Sequence, residues 1–140
     1  MKSVYTILSA AAVMVGMSSC AETAKKSALD LGGDWKVVKI NETELPDSLF
    51  REPALTINMD SMAFYGVTGV NLYNGDLKVD GDSVSFSDGP MTRVMGDSIS
   101  MVVEQNFVSA LAAVKSASVN DSVLVLKDAE NNAVMTLKKK

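Results

Sequence analysis

GDLKVDGDSVSFS, residues 75–87, decides the fold class. Two runs of alternating apolar and polar residues flank Asp80-Gly81. Asp and Gly both tolerate the left-handed backbone of a two-residue hairpin loop, so this is a strong local signal for antiparallel pairing. Toward the N-terminus the same alternation recurs in MAFYGV (62–67) and ALTINM (54–59), which meet at Asp60-Ser61. Before them, Leu31-Gly32-Gly33-Asp34 turns into WKVVKI (35–40), where Trp35 and Val37 alternate, with Val38 and Ile40 nearby. NETELPDSLFREP (41–53) carries two prolines and many polar residues, and reads as a long loop or a single helical turn. Toward the C-terminus, SVLVLKD (122–128) and AVMTLK (133–138) form a second hairpin around AENN.

The period changes in DSISMVVEQNFVSALAAVKS (97–116). Ile99, Val103, Phe107, Leu111 and Val114 are spaced as one face of an amphipathic helix over about 98–115. Asp97 or Ser98 suits the first-turn cap and Lys115 the last turn. The expected fold is α+β and mostly antiparallel, a curved sheet or partial barrel of about seven to eight strands covered by one helix.

The chain has 140 residues, enough for one domain whose core needs no disulfide. It has one cysteine, Cys20, and no histidine. The commonest general base and metal ligand are therefore missing. A hydrolase would need another base for one of its serines, and no Ser-x-x-Lys sits in a suitable helical context. A formal charge of −4 argues against nucleic acid, whose phosphates require a basic footprint. Asp76, Asp80, Asp82 and Asp88 surround one hairpin without the ligand spacing of a calcium loop. Nine methionines suit adaptable packing or a copper site, and their scatter favours packing. No cofactor is expected.

The opening segment MKSVYTILSAAAVMVGMSSC has Lys2, an apolar run from Val4 to Gly16, and small residues before Cys20. That is the layout of a secretory signal peptide, too short for a permanent membrane span. The small residues before a lone cysteine resemble a bacterial lipoprotein signal, although Met17 stands where leucine is usual. On this reading residues 1–19 are removed, Cys20 carries lipid such as palmitate, and 20–30 form a short tether. Removal leaves 12 basic and 17 acidic side chains, a formal −5.

Asp-Ser followed by an aliphatic residue occurs five times, against about one Asp-Ser pair by chance from the composition. Such pairs suit turns and caps, since both side chains bond their own backbone. The pattern also resembles the O-glycosylation signal of exported Bacteroidetes proteins, which makes Ser48, Ser61, Ser83, Ser98 and Ser122 acceptor candidates.

GVTGVNLYNG (66–75) places three glycines, two asparagines and a tyrosine beside the core strands. In order with LGGDW (31–35), ALTIN (54–58) and MTRVMG (91–96), it resembles the META domain, or HslJ-like family, over about residues 30–138, the domain being set at 31–138. The family motifs L-x-G-x-W, G-C-N-x-Y-x-G and T-x-M-x-C fall on Leu31, Gly33 and Trp35; on Gly69, Val70, Asn71, Tyr73 and Gly75; and on Thr92, Arg93, Val94, Met95 and Gly96. Val70 and Gly96 replace both family cysteines. The resemblance therefore implies that these two positions are neighbours, with Cα atoms within about 7 Å. The motif either holds the fold together or presents Asn71, Tyr73, Thr92 and Arg93 to a ligand. The first expects Asn71 to satisfy the backbone of the turn and the segment at Thr92.

Together these features set the functional expectation. The expectation is a monomeric, non-enzymatic, lipid-anchored protein of the cell envelope, at the outer membrane, and the family resemblance implies a role in envelope maintenance or stress tolerance. The alternative is a periplasmic or surface binding module for a glycan, peptide or small ligand. Partners are a membrane through Cys20 and an envelope protein or glycan, with no nucleic acid.

Overall fold

A computed structural model describes residues 29–140. The signal segment, Cys20 and most of the tether lie outside the described residues. The elements are β1 (Gly33–Ile40), β2 (Thr43–Glu44), β3 (Ala54–Asn58), β4 (Ala63–Val67), β5 (Leu72–Asp80), β6 (Ser83–Phe86), α1 (Ser98–Ala113), β7 (Ser116–Asn120), β8 (Val123–Lys127) and β9 (Ala133–Lys139).

Every pairing is antiparallel, and β1 returns to pair with β9. The sheet thus closes as an eight-stranded barrel, with β2 as an extra strand that shares an edge of β1 with β3. Closure leaves few open edges, which is how an all-antiparallel sheet of this size avoids self-association. The weakest junction is β6–β7, where only Ser83 and Ser116 face each other as a ladder pair.

The expected hairpin forms, with Leu77 opposite Phe86 and Val79 opposite Val84 around Gly81 at φ +65°. In β1 the alternation slips. The register against β9 shifts between Val37 and Lys39, so Trp35, Val37 and Ile40 all face the core. That bulge explains why strict alternation could not place Val38 and Ile40. β7, SASVN, has little hydrophobic signal and was not anticipated, and neither was the short β2 in the proline-bearing loop. The rest of residues 41–53 runs without helix.

The core of the barrel is filled by Trp35, Leu55, Leu77, Leu124, Leu126 and Leu137, all nearly inaccessible. Helix α1 joins β6 to β7 and lays Val103, Phe107, Ala110 and Leu111 onto this core. Gly66 makes room for it: a Cβ there would come within 3.1 Å of the Phe107 ring. Asp97 is the cap, its side chain accepting from the Ser100 N–H at 2.8 Å. The helix ends at Val114, which turns extended, so Lys115 lies beyond the last turn and its N–H bonds Lys127 O.

One element of the expected helix face is corrected. Ile99 is 58% exposed, and Ser100 occupies the core-facing position instead. The Ser100 hydroxyl accepts from the Phe50 N–H and donates to Asp97, so a polar residue is satisfied inside the first turn. The inner face is Ser100, Val103, Glu104, Phe107, Ala110 and Leu111, so Val103, Phe107 and Leu111 lie inward as anticipated, Val114 is buried at the cap, and only the first turn differs.

Candidate functional site

The β4–β5 turn carries the densest polar cluster. Gly69 at φ +116° lets the chain reverse between Val67 and Leu72. The Thr68 N–H donates to Asn71 O at 2.9 Å, and the N–H groups of Val70 and Asn71 donate to the Thr68 hydroxyl. That hydroxyl, fully buried, donates to Glu104 Oε1 at 2.5 Å.

Asn71 is 2% exposed and uses both ends of its amide. Its Nδ2 donates to Glu104 Oε1 at 2.8 Å and to Val94 O at 3.1 Å. Its Oδ1 accepts from the Thr92 hydroxyl at 2.9 Å and from the Val94 N–H at 2.6 Å. Asn71 therefore ties β5 to α1 and to the 90–96 segment at once. That segment also runs beside β5 directly: Thr92 N–H donates to Leu72 O, Asn74 N–H to Pro90 O, and Tyr73 faces Met91.

Tyr73 packs edge-on against Phe64, and its hydroxyl donates to Asp88 at 3.3 Å. Burial pushes the phenol above its ordinary value, and the Asp88 carboxylate adds to this. Arg93 is exposed, at the rim of a hollow beside the cluster. So Asn71, Tyr73 and Thr92 spend their bonding capacity on the fold; Asn71 and Tyr73 are buried, while Thr92 and Arg93 are exposed. Glu104 and Thr68, absent from the sequence-based candidates, complete the cluster. Their signal was available: Glu104 lies four residues after Ser100 and three before Phe107, on the inner stripe.

Val70 and Gly96 are neighbours. A Cβ on Gly96 would sit 3.5 Å from the Val70 Cβ and 2.8 Å from its Cγ2. With Cα–Cβ bonds of about 1.5 Å, the two Cα atoms lie within about 7 Å, inside disulfide reach. The branched valine fills the space a sulfur pair would take, and only glycine fits opposite it.

A second region is different in kind. Beside the β1–β2 hairpin, a groove of about 400 Å³ is lined by the apolar residues Ile40, Leu45, Pro46, Ile99, Val102 and Val103 together with Thr43, Glu44, Ser98 and Asn106. Ile99 and Val102 are 58% and 56% exposed there. Among the described residues β2 is the end strand of the sheet, with no strand paired to its outer edge, and its Thr43 and Glu44 line this groove. The candidate acceptors Ser48, Ser61, Ser83, Ser98 and Ser122 are all exposed, in loops, turns or first positions of elements. Among the described residues, no helix is long and apolar enough to cross a membrane.

The model of the META domain family matches residues 27–140. No curated protein matches. Three solved structures resemble the chain in fold. One is an NMR structure of a protein from Burkholderia xenovorans: 16% identity, 77% of this chain and 81% of that one covered, TM-score 0.61. Another is a crystal structure of a DUF4847 family protein from Bacteroides vulgatus: 14% identity, 78% and 93% covered, TM-score 0.59. The third is an NMR structure at 16% identity and TM-score 0.59, covering 76% and 87%.

Proposed function

We propose that this chain, which belongs to the META domain family, is a non-enzymatic, lipid-anchored envelope protein of HslJ-like type that holds an extended apolar segment of a partner polypeptide. The observation that carries this is the exposed groove of Ile40, Leu45, Ile99 and Val102 beside the unpaired edge of β2. An extended peptide bonds a free strand edge through its backbone and places alternate side chains in the apolar channel. A glycan would use an aromatic platform, and no aromatic residue lines this groove. Binding rather than chemistry is supported by the cluster around Asn71, whose polar groups are mostly occupied by one another.

The anchor is the lipidated Cys20 after removal of 1–19, which places the domain at the outer membrane of a Bacteroidetes-like cell and serves envelope maintenance or stress tolerance. Cys20→Ser is expected to release the protein from the membrane fraction. Hexose-bearing peptides containing Ser48, Ser61, Ser83, Ser98 or Ser122 are expected in mass spectra of the native protein.

The test of the groove is crosslinking in intact cells with the wild type, an Ile99→Asp/Val102→Asp variant and a tether-only control. A polypeptide captured by the wild type and lost in the variant supports the reading. Capture unchanged by the variant overturns the groove, and recovery of only a glycan or small molecule overturns the polypeptide partner.

A further inference from the structure

We infer that the hollow between the 90–96 segment and the start of α1 binds a soft monovalent metal ion, Cu(I), through the thioethers of Met91, Met95 and Met101 with Glu104 as an oxygen donor. The hollow measures about 210 Å³, and these four residues line it together with Asn71, Arg93 and Val94. A second concavity of about 390 Å³ shares Met91, Met101 and Glu104 with it. Half of the methionines among the described residues therefore meet at one place on the surface.

Glu104 is built as a ligand would be. It is 7% exposed, and Oε1 takes all three of its donors: Thr68 Oγ1, the Asn71 N–H and Asn71 Nδ2. Among the described residues nothing donates to Oε2, yet no buried side-chain oxygen lacks a partner. Oε2 is therefore accessible, and the accessible space at Glu104 is these two concavities. Hydrogen bonds that fix one carboxylate oxygen and leave the other free are the support expected around a metal ligand.

The thioether donors are also held. Tyr73 faces Met91, Asn71 grips Val94 by both its N–H and its carbonyl, and the Gly96 N–H donates to Met101 Sδ at 3.4 Å. That bond uses one sulfur lone pair and leaves the other. Met95 is 81% exposed, so it fills no gap in the core. Soft thioethers select Cu(I) over harder divalent ions. No group of three or more His, Cys, Asp or Glu exists among the described residues to hold those. Arg93 on the rim opposes a divalent ion more than a monovalent one.

The test is anaerobic titration with Cu(I) against a chromophoric copper chelator. The parent is the full chain carrying Cys20→Ser, so that the thiol does not compete. One equivalent is expected to bind, with the methyl carbon signals of Met91, Met95 and Met101 shifting and that of buried Met135 unmoved. Met95→Leu and Met101→Leu are each expected to weaken binding about tenfold, and Glu104→Gln by a smaller factor. Leucine conserves volume, and Met95 is exposed, so Met95→Leu folds whatever Met101→Leu does. Failure of the parent to bind one equivalent, unchanged affinity in Met95→Leu, or shifts confined to Met59 and Met62 would overturn the site.

Discussion

The two flanks of helix α1 invert what residue type suggests. On one, Thr68, Asn71, Thr92 and Glu104 look like site residues and are mostly bonded to each other. On the other, Ile99 and Val102 look like core and stand in solvent. A buried polar group without a partner costs more than most contacts return, so evolution either satisfies such groups or uses them. An exposed apolar group costs little in the free chain and contributes when something covers it. Polar chemistry on the first flank is thus mainly architecture, and apolar surface on the second is available for binding.

The contrast is broken most directly at Asn71. Asn71→Ala strands the Thr92 hydroxyl, both backbone groups of Val94 and part of the Glu104 carboxylate. A loss of about 3 kcal/mol or more is expected in chemical denaturation. A variant that melts like wild type would return Asn71 to the list of ligand contacts.

A smaller effect is expected opposite Val70. Gly96→Ala puts a methyl 2.8 Å from Val70 Cγ2 and is expected to cost about 1–3 kcal/mol by overpacking. Val70→Cys with Gly96→Cys removes that clash and creates a pair in disulfide geometry. Oxidation is expected to add about 3 kcal/mol relative to the reduced form, read from denaturation with and without reductant.

On the outer flank, Ile99→Asp with Val102→Asp is expected to change stability by less than about 0.5 kcal/mol for each position while abolishing crosslinked partner. A sharply destabilised variant would mean that the flank is packed, and the comparison would collapse.

The smallest effect concerns the cap. The Ser100 backbone N–H and then its hydroxyl hold the Asp97 carboxyl below its usual range. A lowered folded-state pKa adds stability that is present above the unfolded value and lost as pH falls through the folded one. Helix content followed by circular dichroism from pH 5 downward is expected to show an acid limb that Asp97→Asn flattens.

Much of the barrel was legible because alternation and Asp-Gly turns are local properties. β7 was not, since its alanine and serines carry no contrast between faces, and its place is set by Lys115 and Lys127 through backbone bonds. The helix was legible in extent and in most of its buried face, but not in its first turn, where Ser100, drawn inward by the Asp97 cap and the Phe50 N–H, takes the place expected for Ile99. The motif around Asn71 could be found from family likeness and Gly spacing. Its partner Glu104 carried a signal as well, being the one acidic residue within α1 and lying beside Val103 and Phe107 on the inner stripe.

The pairing of β1 with β9 has a consequence for the order of events in the cell. Trp35 faces Lys139 and Ile40 faces Met135, so the first and last strands complete each other. Bringing such distant segments together is slow compared with forming hairpins. A ribosome must finish the whole message before the barrel can shut. Until then β1 and β8 each present an open edge. Stop codons before Ala133 are accordingly expected to yield sticky, protease-sensitive fragments rather than a smaller barrel.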